Sequence, residues 1–135
     1  MGICLLTCFL QNCEDKIIRT YRLENGTERE IRMEFYAYGL FSHTGHIIGE
    51  GLIYEGETDN DNGRHLSAGG ALSADSIIVT FDNEKRQLYY GDILTSSPFT
   101  DRNILSEEPY EVLSNELYRF VFTEEDYENA ADIEG

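Results

Sequence analysis

The side chains nearest to a metal-binding set are three histidines and an acidic run. His43-Thr44-Gly45-His46 carries two imidazoles, and His65 follows Asp59-Asn60-Asp61-Asn62-Gly63. Imidazole nitrogens and carboxylate oxygens suit zinc or a related ion. His43, His46 and His65 with Asp59 or Asp61 would therefore form a centre if the acidic loop folded back, giving a metal-dependent hydrolase. The plainer reading makes the same residues turns, since nothing in their spacing fixes that approach. The acidic run also offers oxygens to a hard cation but misses the EF-hand register. With Asp59 first, Gly63 falls fifth rather than sixth, and Gly70 stands where the twelfth-position Glu belongs.

Other catalytic patterns are absent from the sequence. There is no Gly-x-Ser-x-Gly elbow, and no cysteine follows Cys13 to serve as a nucleophile. Ala68-Gly69-Gly70-Ala71 follows neither a Walker nor a dinucleotide pattern. The expectation is a non-enzymatic chain with no cofactor. Tyrosines speak for binding instead. Tyr36 and Tyr38 alternate onto one side of a strand, and Tyr89-Tyr90 must place at least one ring outward. Exposed tyrosines give rigid contact area to a protein or glycan ligand, unless a second sheet or the C-terminal helix covers them.

The elements that must position these residues read as β-rich. Ile17–Leu23 is β-branched and aromatic, and Asn25-Gly26 after it predicts a hairpin turn. The next run places Ile31, Met33, Phe35 and Ala37 on a core face and Arg32, Glu34, Tyr36 and Tyr38 on the other. A third strand is expected over Ile47–Glu55, with Gly49 and Gly51 marking a bulge and His43–His46 lying before it. Asp75–Phe81 reads as a central strand, turned by Asp82-Asn83-Glu84-Lys85 into Arg86–Tyr90. Residues 93–109 are irregular, and Ser67–Ala74 has no usable period. Tyr110–Leu113 and Glu116–Phe122 form a last hairpin around Ser114-Asn115. Thr123 then caps a short helix, with Asp126 completing a capping box. The fold expected is mainly β: an antiparallel β-sandwich or partly closed barrel of about seven or eight strands with a short C-terminal helix.

All ten basic and all 26 acidic residues follow Cys13, so the net charge of -16 belongs to the body of the chain. That field repels nucleic-acid backbones, and no nucleic-acid partner is expected. An acidic inhibitor that mimics DNA is the alternative, and it would require carboxylates arrayed at phosphate spacing on one convex face.

Cys4, Cys8 and Cys13 are the only cysteines. No disulfide framework can form in the body, and Cys4-Leu5-Leu6-Thr7-Cys8 lacks the partners of a structural zinc site. Ile3–Leu10 is an apolar run too short to span a bilayer, and the polar chain begins at Glu14. Leu10-Gln11-Asn12-Cys13 resembles a bacterial lipobox, with Gln11 and Asn12 where small residues are usual. Glu14-Asp15 resembles the acidic export signal of Bacteroidetes lipoproteins. Asp75–Asp82, Arg102–Leu105 and Tyr118–Ala130 are likewise similar to small lipoproteins of that group. The resemblance implies a signal-like segment over 1–13, a lipid on Cys13 and a single domain over 14–135. It further implies a place at the outer membrane or cell surface, with a periplasm-facing position as the alternative. It carries no catalytic residues with it. A buried N-terminal strand or helix with the cysteines as small core residues is the competing reading.

Overall fold

The computed structural model describes residues 16–61, 66–91 and 96–133. Among these residues nine strands form two sheets. One has the order β4-β1-β8-β7 and the other β3-β2-β5-β6-β9. They are β1 (Ile18–Asn25), β2 (Glu30–Ala37), β3 (Leu40–Ile48), β4 (Ile53–Asp59), β5 (Ser76–Phe81), β6 (Lys85–Tyr90), β7 (Glu111–Ser114), β8 (Leu117–Phe122) and β9 (Ala131–Asp132). Helix α1 spans Ala68–Leu72 and α2 spans Glu124–Asn129. The protein is a β-sandwich. Every pairing is antiparallel except β1 with β8, which run parallel from Thr20↔Leu117 to Asn25↔Phe122.

Alternation builds the core. Tyr21, Leu23, Phe120 and Phe122 face inward from the four-stranded sheet, and Ile31, Met33, Phe35, Ile77, Val79 and Phe81 meet them from the other. Phe81 and Phe122 touch edge to face across the layers at 6.0 Å, and Phe122 meets Phe120 at 4.9 Å. Each such ring, fully buried, contributes roughly 1.5–3 kcal/mol before entropy is counted. The capping box forms as the sequence predicts: Thr123 accepts from the Asp126 N–H, and Asp126 accepts from the Thr123 N–H.

Asn25-Gly26 does not make a hairpin, because β1 and β2 belong to different sheets. Asn25 is instead a buried polar hub. Its amide nitrogen donates to Arg29 O (2.7 Å) and Ile47 O (3.0 Å), and its Oδ1 accepts from Thr27 N–H and Oγ1–H. Gly26 is required by proximity, since a Cβ there would lie 2.7 Å from Val121 Cγ1 and 2.8 Å from Phe122 O.

The strand expected over Ile47–Glu55 is also corrected. Gly49 (φ 108°) and Gly51 (φ 85°) adopt backbone closed to most side chains, so the chain turns there and divides β3 from β4. His43–His46 lies inside β3 rather than between strands. Ser67–Ala74, without readable period, holds α1, capped by the Ser67 hydroxyl.

Residues 96–110 close one flank of the sandwich. Ser97 and Leu88 exchange two backbone hydrogen bonds, and Asn103 Nδ2 donates to Tyr90 O. Arg102 then ties this segment to α2 through Asp126.

Candidate functional site

The tyrosines separate by the pleat. β2, β5 and β6 share a register in which Tyr36 faces Ser76 and Ser76 faces Tyr90. On the other side Tyr36 faces Phe41 of β3, with ring centroids 5.7 Å apart and planes at 73°. One cross-sheet row therefore reads Phe41–Tyr36–Ser76–Tyr90, all on the outer face of the five-stranded sheet. The next row is Thr44–Glu34–Ile78–Leu88, and the one beyond it is His46–Arg32–Thr80–Arg86. Tyr36, Gly39, Ser76, Ile78, Leu88 and Tyr90 line a shallow concavity of about 320 Å³ at the end of this face.

Tyr89 is a correction. The sequence offers it beside Tyr90 as a contact residue, whereas it is 2% exposed and its ring lies in the core. Burial also pushes its hydroxyl pKa up. The pleat allows only one of the two neighbours outward, and β6 pairing gives that place to Tyr90. Tyr38 is not on the strand face either. It occupies the β2–β3 turn at φ 55°, followed by Gly39 at φ 78°, and is 92% exposed. Positive φ at both positions is the two-residue hairpin geometry that favours Asn-Gly, so a bulky residue there is strained. The Asp75 carboxylate holds the turn by accepting from the Tyr38 N–H at 2.7 Å. Leu40 and Phe41 continue the tip, 73% and 58% exposed. Sequence reasoning passed over both, although the apolar pair after Tyr-Gly was visible.

Among the described residues the metal candidates His43, His46, Asp59 and Asp61 do not come together. Alternation along β3 sends His43 inward beside Phe35 and His46 outward beside Arg32. The His43 ring stacks on Phe35 at 4.3 Å, with Nε2 3.1 Å from the Tyr54 hydroxyl and Nδ1 2.9 Å from Ser42 Oγ. Asp59 accepts from the Asp61 N–H, and Asp61 pairs with Lys16 at 3.1 Å. His65 and Cys13 lie outside the described residues. Among the described residues no three His, Cys, Asp or Glu side chains converge to hold a metal.

The outer face of the other sheet is a charge ladder. Glu55–Arg22–Arg119–Glu111 forms one row, with ion pairs of 2.7 Å at each end, and Arg119 also approaches Glu24 at 3.7 Å. Arginines occupy its centre, so this face is not an array of carboxylates. A second network fastens α2 to two turns. The Arg29 guanidinium lies 3.4 Å from the Tyr127 ring centroid and pairs with Asp82 and Glu124. That contact holds the Glu124 carboxyl below its ordinary pKa.

Together these features define a two-sheet β-sandwich with one charged outer face and one that is aromatic at its Phe41–Tyr36–Ser76–Tyr90 end and polar toward Arg32 and Arg86. Comparison of the chain with protein families, with curated proteins and with solved structures found no match. Among the described residues, no helix is long and apolar enough to cross a membrane.

Proposed function

We propose that this protein is a non-enzymatic binding module of the cell envelope, tethered through a lipid on Cys13, that engages a ligand through the outer face of its five-stranded sheet. The observation that carries the reading is the row Phe41–Tyr36–Ser76–Tyr90, backed by Ile78 and Leu88. Rigid rings on a flat lattice supply contact area at small entropic cost, and strands anchored in a packed core hold their spacing. The other outer face is occupied by its own ion pairs, whereas on this one Phe41 is 58% exposed and Tyr36, Ile78, Leu88 and Tyr90 are half-buried beside it.

The test is site-specific photo-crosslinking in cells of the source, with a photoreactive phenylalanine at position 36 or 90 and, as controls, at 22 or 119. Discrete adducts from 36 and 90 that are missing from 22 and 119 support the reading; equal adducts from both faces reject it. The tether is tested separately by labelling with a clickable fatty acid. Label that disappears in Cys13→Ser supports the anchor, and label that persists in the variant, or never appears, removes it.

A further inference from the structure

The sandwich presents four sheet edges, three of which are protected among the described residues. β4 carries Glu55, Glu57 and Asp59, and α1 abuts it at Gly56, where a Cβ would strike the Ala71 backbone. β7 is only four residues long. The edge of β6 is covered by Ser97 and β9. β3 differs. It is nine residues long, contains no Asp, Glu, Lys, Arg or Pro, and pairs with β2 alone among the described residues. Its one register shift lies opposite Phe35/Tyr36; from His43 to Ile48 the pairing is regular. A long, uncharged edge with unpaired backbone groups is a template for another strand.

We propose that this edge accepts an extended segment of a partner polypeptide as an added strand, apolar on its inward-facing positions and basic on its outward-facing ones. The proposal deepens the binding-module reading and rests on it. β-Strand addition draws affinity from backbone hydrogen bonds and specificity from alternate side chains. On the inner side the half-buried Tyr54 ring packs directly on Gly45, where a Cβ would lie 2.8 Å from it, and stacks on Phe35 at 5.3 Å, so the edge is lined there by aromatic surface. Apolar side chains of an added strand would extend that surface. On the outer side Glu34 lies opposite Thr44 and Glu30 opposite Ile48, neither in an ion pair among the described residues. Strands are about 4.8 Å apart, so a lysine or arginine over Thr44 or Ile48 reaches the carboxylate one strand further in. Arg32, between them, donates to Asn83 and disfavours a basic residue at the middle position. The charge of -16 attracts a cationic segment and opposes pairing with a second copy of the chain.

The test uses the full chain and a labelled synthetic peptide of β3 length alternating valine with lysine, with threonine at the outward position over His46, and the same peptide with glutamate for lysine as control. The lysine peptide should bind by fluorescence anisotropy and protect from hydrogen exchange those β3 backbone amides that face away from β2. Glu30→Lys/Glu34→Lys should weaken binding by about tenfold or more while keeping the wild-type circular dichroism. Four results overturn the proposal: no binding, equal binding of the glutamate peptide, the β3 amides that face away from β2 already protected in the free chain, or protection of those amides that rises with protein concentration alone. The two readings also fail separately. Binding with β3 protection that survives Tyr36→Ala/Tyr90→Ala upholds the added strand and removes the aromatic face from it. Binding lost in that variant, with no β3 protection in the wild type, overturns the added strand and keeps the face.

Discussion

Arg102 grips Asp126 with two hydrogen bonds, Nε to Oδ1 at 2.8 Å and a terminal nitrogen to Oδ2 at 3.0 Å, while the same carboxylate caps α2. The Asp126 side chain is 6% exposed, so the pair binds residues 96–110 to the C-terminal helix through a desolvated charge. Removing one partner of such a pair strands the other. Arg102→Ala is expected to lower unfolding free energy by about 2–3 kcal/mol in urea titrations. Arg102→Lys should recover part of that loss, because an ammonium cannot reproduce the planar two-point contact.

Asn25→Ala should cost about 2–4 kcal/mol, since it leaves the Arg29 and Ile47 carbonyls and the Thr27 donors without their partner in a buried site. A turn role would make Asn25→Gly nearly harmless, whereas the hub role makes it as damaging as alanine. Denaturant midpoints of the two variants separate these roles.

The Arg29–Glu124 contact carries a pH dependence whose sign follows from the lowered Glu124 pKa. A carboxylate favoured in the folded state contributes stability above its unfolded pKa, and that contribution is lost as pH falls through its lower folded value. The gap in melting temperature between wild type and Glu124→Gln should therefore be present at neutral pH. It should close as the solution is taken below the ordinary carboxylate range. A gap that stays constant into acid would show that Glu124 does not act through its charge.

Tyr38→Asn should stabilise the protein by roughly 0.5–1 kcal/mol by relieving positive φ at the first turn position. The same change removes the most exposed ring of the hairpin tip. A stability gain coupled to weaker crosslinking from position 36 would mean that the tyrosine is retained for contact, at the expense of the turn.

Periodicity made β2 and β8 legible, because each has one face in the core and a period-two pattern that survives tertiary context, while the consecutive apolar residues Ile77-Ile78-Val79 marked β5 as a central strand. The α2 capping box was equally plain, since Thr123 and Asp126 satisfy each other locally. Sheet membership was not legible. Whether β1 pairs with β2 or with β8 depends on packing between strands nearly a hundred residues apart, and Asn25-Gly26 has the same letters whether it turns the chain or fills a buried site. Tyr89 and Tyr90 show the limit on the site: alternation requires one of them inward, but only the β5–β6 register decides which. His43 and His46 parted because two intervening residues place them on opposite faces of a strand, while a loop would have left them free to converge.

The proposed function places a ligand on the outer face of the five-stranded sheet in the cell. Hydroxyl-radical footprinting in intact cells, compared with the purified chain, measures it directly. Occupation predicts that Tyr36, Phe41 and Tyr90 are oxidised less in cells than in solution, while Val112 and Leu113 on β7 are oxidised alike in both. Equal oxidation of Tyr36, Phe41 and Tyr90 in the two settings would contradict it.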